Sequence, residues 1–203
     1  DAKLKEPDYV LLVTHYYNKP NQNGLIKHYE KIANSVDIKQ VLYNVPSRTA
    51  CDMTPETVKI LSKHENIIGV KEAVDNVERI KQLVSISEEC KNFSILSGDD
   101  PTFMNSLIHG AHGVISVAAN VIPNPISQIC KYVKTDKYNE AGKLNKLYDN
   151  LYRLLFVESN PIPLKWMMYK MGLIENSIRL PLTVLDETFH DTTLSELKKL
   201  KLI

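Results

Sequence analysis

The sequence lacks several features that would define whole classes of protein. Its 203 residues include only three cysteines, seven glycines and one tryptophan, and the basic residues exceed the acidic ones by a single charge. A net charge this close to zero argues against a nucleic-acid partner, because nucleic-acid-binding proteins usually carry a basic excess. A disordered chain is also excluded, because 43% of the residues are hydrophobic.

Signals for oxidising compartments and membranes are absent as well. Cys51, Cys90 and Cys130 lie far apart and show neither the paired spacing of a zinc site nor that of a disulfide framework. A reducing, cytoplasmic location is therefore expected. No apolar run approaches the roughly 18 residues of a membrane span, and no signal peptide is recognisable, so no membrane partner is expected.

Familiar catalytic motifs are missing too. The six histidines form no H-x-x-x-H or H-E-x-x-H pattern, and no G-x-S-x-G or phosphate-binding glycine loop occurs. The pair Asp99-Asp100 invites a metal, but Asp100-Pro101 is explained as a helix cap, and no His or Glu stands at ligand spacing nearby. We therefore predict no metal site.

The sequence does contain a regular alternation of strand and helix patterns. Residues 9–14 form a short, nearly unbroken apolar run, typical of a strand covered on both faces in a parallel sheet. Four similar runs follow at residues 40–43, 66–71, 93–97 and 113–117. This alternation, with a period of about 25 to 30 residues, predicts βαβ units and a parallel sheet.

Helix starts are marked by capping residues. Each of three sites places a capping side chain before a proline: Thr54-Pro55, Asp100-Pro101 and Asn124-Pro125. Asp75 with Glu78 resembles a capping box. After Val133 the alternation stops, and residues 137–156 predict one long amphipathic helix. We therefore expect an α/β domain over residues 1–134 and a helical domain over residues 135–203.

The candidate site residues lie where the predicted parallel strands end, because the functional residues of α/β proteins gather at those ends. Lys71 closes an apolar run, and a desolvated lysine is a nucleophile that can form a Schiff base with a carbonyl. Tyr43 ends another strand, where its hydroxyl suits a proton relay. Arg48 follows in a turn and could bind a carboxylate bidentately.

Each of these residues also has an ordinary structural interpretation. Lys71 could extend its amine to solvent, Tyr43 could be an amphipathic core residue, and Arg48 could be a surface charge. Tyr16-Tyr17 could form a wall of the site, an interface patch or ordinary exposed aromatics.

Taken together, the motifs identify a known family. The sequence resembles the 4-hydroxy-tetrahydrodipicolinate synthase family, also called dihydrodipicolinate synthase, in order and over essentially its whole length. The matching segments are residues 16–18, 43–49, 69–72, 96–100, 113–117 and 156–165.

The resemblance implies a (β/α)8 TIM barrel followed by a C-terminal helical domain. It implies that Lys71 forms a Schiff base with pyruvate without any cofactor, and that the resulting enamine attacks aspartate 4-semialdehyde. Tyr43 would be the proton relay and Arg48 would bind the carboxylate of the aldehyde. Gly98 and Ile115 would line the pyruvate pocket through their backbones.

The resemblance also implies an assembly. Tyr17 would reach into the active site of a neighbouring subunit, so that a homotetramer built as a dimer of dimers is expected. Tyr16 would be the visible member of an allosteric lysine site. The product would enter lysine and diaminopimelate biosynthesis.

The chain departs from the family pattern at its N-terminal side. The family's threonine pair, which completes the tyrosine relay, has no counterpart here, and neither do the first three βα units. The five strands would therefore be the fourth to eighth of the barrel. Because the chain begins with Asp1 and not Met, we expect about 90 residues to precede it, given roughly 30 residues for each of three βα units.

Two alternatives stay open at this point. A related pyruvate-dependent aldolase, such as N-acetylneuraminate lyase, would share Tyr43 and Lys71, although Arg48 favours a small dicarboxylate-like product over a polyol. An inactive fragment that acts as a structural or interaction module belongs to another class. It is suggested by the missing threonine loop and by the open sheet edge of a five-stranded piece.

Overall fold

Five parallel strands form one sheet in the order in which they occur along the chain. The computed structural model describes residues 7–203. The strands are β1 (Tyr9–Val13), β2 (Lys39–Asn44), β3 (Ile67–Glu72), β4 (Ser94–Ser97) and β5 (Gly113–Val114). The predicted parallel sheet is thus confirmed, with strand ends shifted by one to three residues.

The connections between the strands are helical. They are α1 (Gln22–Ser35), α2 (Pro46–Thr49), α3 (Pro55–Leu61), α4 (Val77–Glu89) and α5 (Phe103–Ile108). The main core lies between these helices and one face of the sheet. It contains Leu25, Tyr29, Leu42, Val58, Val70, Leu83 and Ile95, each fully buried.

The strand β1 differs from its prediction. Its side chains alternate, and Tyr9, Leu11 and Val13 are 56%, 41% and 44% exposed, whereas Leu12 packs against the core. Among the described strands, β1 pairs with β2 alone. The prediction that β1 is covered on both faces is therefore wrong. An apolar sequence does not show whether a second layer of protein covers the strand.

Two compact units divide the chain, one over Asp1–Ile115 and one over Ser116–Ile203. The second unit is helical. It contains α6 (Pro123–Lys134), α7 (Tyr138–Lys146), α8 (Asp149–Leu154), α9 (Ile162–Lys170), α10 (His190–Lys199) and two short 3-10 helices, Ala118–Asn120 and Glu187–Phe189. A domain boundary at residues 134/135 remains a prediction.

The long helix predicted over residues 137–156 is wrong, because the chain forms α7 and α8 with a break at residues 147–148. At the break, the amides of Leu147 and Tyr148 donate to the carbonyls three residues earlier, which tightens the turn. The buried Tyr152 donates its hydroxyl to Asn145 Oδ1 at 3.0 Å across the break. The helical spacing of apolar residues continues without change through residues 147–148, so periodicity alone could not show the break.

Some predicted caps were also displaced. Asn76, and not Asp75, caps α4, with Asn76 Oδ1 accepting from the amide of Arg79 at 2.9 Å. The helix predicted after Asp100 begins only at Phe103, and the one predicted after Asn124 begins at Pro123. In residues 7–203 none of the helices has both the length and the apolar character needed to cross a membrane.

Candidate active site

The strand register places two of the predicted residues side by side. Val13, Tyr43, Lys71 and Leu96 are paired in sequence across β1 to β4. Side chains at the same level of a parallel sheet point to the same face. Tyr43 and Lys71 therefore share a face near the carboxyl ends of β2 and β3.

Lys71 is buried rather than extended into solvent, with 8% of the residue exposed. Its Nζ lies over the ring of Tyr43, 4.3 Å from the ring centroid. Burial lowers the pKa of the Lys71 amine, and the nearby Asp100 carboxylate opposes this shift. A lowered pKa increases the fraction of neutral amine, which is the nucleophilic form.

Gly98 follows β4 and lies against the stem of Lys71. A Cβ at position 98 would lie 2.8 Å from Lys71 Cε and 3.1 Å from its Cγ. The missing side chain thus leaves the space in which the lysine stem runs, and the structure brings Gly98, Lys71 and Tyr43 together.

The substitution Gly98→Ala is expected to displace the Lys71 side chain. Because the new methyl group would meet Lys71 Cε at 2.8 Å, pyruvate adduct formation at Lys71 should slow at least about tenfold, since small misplacements of reacting groups are costly. Quench-flow borohydride trapping measures this rate. Gly113→Ala is the control for glycine substitution, because a Cβ there would meet only Leu96 Cδ2, at an ordinary contact distance of 3.4 Å; an unchanged adduct rate in Gly98→Ala would contradict the assignment.

The Tyr43 hydroxyl lies in a mixed electrostatic environment. Burial raises its pKa, the positive charge of Arg48 lowers it, and Asp99 and Glu72 raise it. Arg48 itself is an exposed residue in the short helix α2. The structure therefore brings the Arg48 charge close enough to act on Tyr43 while leaving the guanidinium accessible.

Tyr16 and Tyr17 lie apart from this cluster. They are 70% and 92% exposed, so neither belongs to the buried group formed by Lys71 and its neighbours. Tyr17 has φ of 62°, a left-handed backbone conformation that is uncommon for residues with a bulky side chain. Strain of this kind is often found at functional sites.

Gly98 and Ile115 belong to the ends of neighbouring strands. The amide of Gly98 donates to the Glu72 carbonyl at 2.7 Å, and that of Ile115 donates to the Ser97 carbonyl at 3.0 Å. Since both amides are engaged in the sheet, a ligand would meet the carbonyl oxygens of these residues and not their N–H groups.

An ionic network around the buried Glu72 links the strand ends on the opposite face of the sheet, and its third charged member, Asp52, is 44% exposed. Glu72 Oε2 accepts from Arg79 Nε at 2.8 Å, and Arg79 also contacts both carboxylate oxygens of Asp52. Asn44 Nδ2 donates to Asp52 at 2.8 Å and to Glu72 at 3.1 Å. The Glu72 side chain is fully buried, and burial raises its pKa while Arg79 and Asn44 counteract the shift.

The sequence patterns predicted neither this network nor the effect of Asp100 on Lys71. Glu72 follows Lys71 directly, but no local pattern shows that its partners are Arg79 in α4 and Asp52 before α3. A second missed contact joins two buried threonines, with Thr14 Oγ1 donating to Thr49 Oγ1 at 3.2 Å. These contacts depend on tertiary structure and leave no signal at fixed spacing.

The site contains the groups that catalysis by an amine nucleophile requires. It holds a desolvated lysine, a tyrosine ring beside the lysine amine and an accessible cation. In the described part of the chain, no three or more His, Cys, Asp or Glu side chains form a group that could hold a metal ion.

Known proteins resemble this chain over most of its length. The model of the Dihydrodipicolinate synthetase family matches residues 4–200. The 4-hydroxy-tetrahydrodipicolinate synthase of Alcanivorax borkumensis is 50% identical over 188 residues, covering 92% of this chain and 63% of its own length. The corresponding enzyme of Pseudomonas syringae is 48% identical, covering 94% and 65%.

Solved structures show the same likeness. The dihydrodipicolinate synthase of Acinetobacter baumannii in complex with pyruvate is 42% identical, with a TM-score of 0.93 over 98% of this chain and 67% of that one. A monomeric dihydrodipicolinate synthase variant is 36% identical, also with a TM-score of 0.93 over 98% of this chain and 67% of that one.

The fold is accordingly part of a (β/α)8 barrel followed by a helical part, with a lysine at the carboxyl end of a barrel strand. The chain belongs to the dihydrodipicolinate synthetase family. It spans just under two-thirds of the length of the A. borkumensis and P. syringae relatives.

Proposed function

We propose that the protein carrying this chain condenses pyruvate with L-aspartate 4-semialdehyde to 4-hydroxy-tetrahydrodipicolinate. It would act as a class I aldolase-type lyase in lysine and diaminopimelate biosynthesis, in the cytoplasm and without a cofactor. The observation that carries the proposal is the desolvated Lys71 amine lying 4.3 Å from the Tyr43 ring centroid. The names of the family relatives support the choice of reaction, and the pyruvate complex of the A. baumannii enzyme supports the first substrate.

The first half of the reaction would build the nucleophile. The neutral amine of Lys71 attacks C2 of pyruvate, and after proton transfers the carbonyl oxygen leaves as water. A C3 proton is then lost from the iminium ion, and the electron pair of the broken C–H bond forms an enamine. Tyr43, adjacent to the amine, would relay the protons in these steps.

The second half would form the carbon–carbon bond. The enamine C3 attacks the aldehyde carbon, whose oxygen takes a proton and becomes a hydroxyl. The amino group of the second substrate then attacks the iminium carbon, which closes the ring and releases Lys71. Arg48 would bind the carboxylate of the aldehyde substrate, and Gly98 and Ile115 would line the pyruvate pocket through their carbonyl oxygens.

The assembly is part of the proposal. We infer a homotetramer, a dimer of dimers, in which Tyr17 crosses to the active site of a neighbouring subunit and Tyr16 belongs to an allosteric site. The support is the exposure of both rings together with the strained backbone of Tyr17. That one relative is described as the first monomeric variant also suggests that assembly is usual among these enzymes.

The assay that tests the reaction compares two substrates. The full-length gene product should consume pyruvate with aspartate 4-semialdehyde in a coupled assay and should not cleave N-acetylneuraminate. Cleavage of the sugar acid alone would show the related aldolase, and no turnover with either substrate would favour the inactive module.

The rate of pyruvate adduct formation should rise with pH and level off below the pH expected for an ordinary lysine. Burial lowers the pKa of Lys71, so the neutral amine dominates at a pH below the usual value of about 10.4. Because the Asp100 carboxylate raises this pKa, Asp100→Asn should move the profile to lower pH. A profile that moves to higher pH, or stays in place in the folded variant, would contradict the assignment.

The substitution Tyr17→Phe should lower turnover by about 10²-fold, the lower end of the contribution of a proton-transferring group. It should leave the fold intact, because the side chain is 92% exposed. Turnover and thermal unfolding measured on the same preparation check both statements. Tyr138→Phe is a matched control, since this tyrosine is 43% exposed and lies in the helical unit; equal turnover in both variants would argue against a catalytic role for Tyr17.

A further inference from the structure

Two histidines that sequence spacing does not connect meet in the first unit. His15 Nε2 and His28 Nε2 lie 3.1 Å apart although 13 residues separate them along the chain. Their ring centroids are 4.3 Å apart and the ring planes are inclined at 68°. One histidine directly follows Thr14 at the end of β1, and the other lies within α1.

Both histidines are attached to well-fixed backbone. Thr14, the neighbour of His15, donates its amide to the Tyr43 carbonyl at 3.0 Å. The Thr14 hydroxyl donates a hydrogen bond to Thr49 Oγ1. His28 lies next to the fully buried Tyr29, whose ring centroid is 5.1 Å from its own. The two imidazoles are therefore brought together by the fold and not by a mobile segment.

Their separation suits a shared ligand. Two imidazole nitrogens that bind one ion at about 2.0–2.1 Å, at angles from square-planar to tetrahedral, lie about 2.8–3.4 Å apart. The observed 3.1 Å falls in this interval. His15 is exposed and His28 is half-buried, so water can complete the coordination of an ion at this place.

We propose that His15 and His28 form a bidentate site for a late first-row divalent cation such as Cu²⁺ or Zn²⁺. Imidazole nitrogen is a preferred ligand of these ions, whereas Mg²⁺ and Ca²⁺ favour oxygen. Cu²⁺ should bind more tightly than Zn²⁺, following the general order of affinities for such ligands. The site is independent of the proposed catalytic reaction.

The protonation of the pair is compatible with binding. Burial lowers the pKa of His28, and the neighbouring His15 lowers it further. A neutral imidazole can bind a metal without first losing a proton to solvent. In the free protein one Nε2 donates to the other, and binding requires both rings to carry their proton on Nδ1, so the ion replaces the hydrogen bond between them.

Binding would also have a local structural effect. An ion held by both rings would join the end of β1 to α1 through the two side chains.

The test is an isothermal titration calorimetry experiment in which the intact, full-length protein is titrated with Zn²⁺ alone. We expect one ion per chain at this site, and a loss of affinity of more than about tenfold in both His15→Gln and His28→Gln. His109→Gln is the matched control, because the structure pairs His109 with no other histidine among the described residues. Wild-type affinity in either His15→Gln or His28→Gln, or no binding of Zn²⁺ by the wild type, would overturn the proposal.

A second measurement does not depend on the folding of any variant. Substoichiometric Cu²⁺ added to the wild-type protein should broaden the imidazole proton NMR signals of His15 and His28 before those of the four other histidines. Selective broadening at other histidines, or equal broadening at all of them, would contradict the site. Circular dichroism of the two glutamine variants shows whether their loss of affinity arises at the site or from unfolding.

Discussion

The substitution Lys71→Arg is expected to lower kcat/KM of the full-length enzyme by at least about 10⁴-fold, because it removes the nucleophile itself. Arginine keeps the positive charge and a long stem, but its guanidinium stays protonated and cannot attack a carbonyl. A loss of this size in a folded variant would therefore report the chemistry of the amine and not its charge. The coupled assay with pyruvate and aspartate 4-semialdehyde measures it.

The control for this experiment is Lys59→Arg. Lys59 is a surface lysine whose side chain is 49% exposed and paired with Glu89, so its replacement should leave kcat/KM unchanged. Thermal unfolding of Lys71→Arg should confirm that the variant is folded. If folded Lys71→Arg kept turnover within tenfold of the wild type, Lys71 would not be the nucleophile.

The second large effect is expected for the free energy of unfolding, when Arg79 is replaced. Arg79→Met should lower the free energy of unfolding by about 3 kcal/mol or more, because removing one partner of a buried ion pair leaves the other uncompensated. Here the remaining partner is the Glu72 carboxylate, whose side chain has no exposed surface. Arg79 also donates to the carbonyl of Met53 and to Asp52, so the segment before α3 would lose its attachment as well.

This loss should depend on pH. Burial already raises the pKa of Glu72 above its ordinary value, and Arg79 opposes that shift. Without Arg79 the folded-state pKa rises further, so the folded chain binds a proton over a wider range above the unfolded pKa. Stability of the variant therefore falls as pH rises through that range, and the loss should be larger at mildly alkaline than at mildly acidic pH.

Chemical denaturation of four chains tests the network. They are the wild type, Arg79→Met, Glu72→Gln and the double variant, in which the two losses should be clearly less than additive because the residues are in direct contact. Lys59→Met breaks an exposed pair instead and should cost less than about 1 kcal/mol. Additive losses, or a loss in Arg79→Met no larger than in Lys59→Met, would show that the buried pair does not hold the strand ends.

The connection between this network and the site is geometric. Lys71 and Glu72 are neighbours on β3 and point to opposite faces, one toward the proposed substrate and one into the ionic network. A network that fixes Glu72 thereby also fixes the backbone of Lys71. Weakened pyruvate trapping in folded Arg79→Met would be a further consequence of the same contacts.

Much of the fold could be predicted from local patterns. The short apolar runs placed all five strands, because buried parallel strands have a distinctive composition, and their regular alternation with helices gave the sheet type. The exposure of one face of β1 and the break between α7 and α8 could not be predicted. Periodicity records which residues are apolar, but not which surfaces are covered or where a helix tightens into a turn.

The candidate site likewise has residues that could be predicted from the sequence and contacts that could not. Lys71 and Tyr43 could be identified because each closes an apolar strand, and the register then places them together. The partners of Glu72 and the meeting of His15 with His28 could not be identified, since they join elements whose separation along the chain follows no motif. Tyr17 is a different case, because its predicted role belongs to a neighbouring subunit and its position within one chain does not test it.

The measurement that tests the central proposal most directly is borohydride reduction of the full-length enzyme in the presence of pyruvate, followed by peptide mass mapping. Reduction converts the Schiff base to a stable secondary amine, so the lysine that formed it keeps the three-carbon unit. The structure leads us to expect a single adduct on Lys71, formed without any added metal or cofactor. An adduct on another lysine, or none in enzyme that is folded and saturated with pyruvate, would contradict the account.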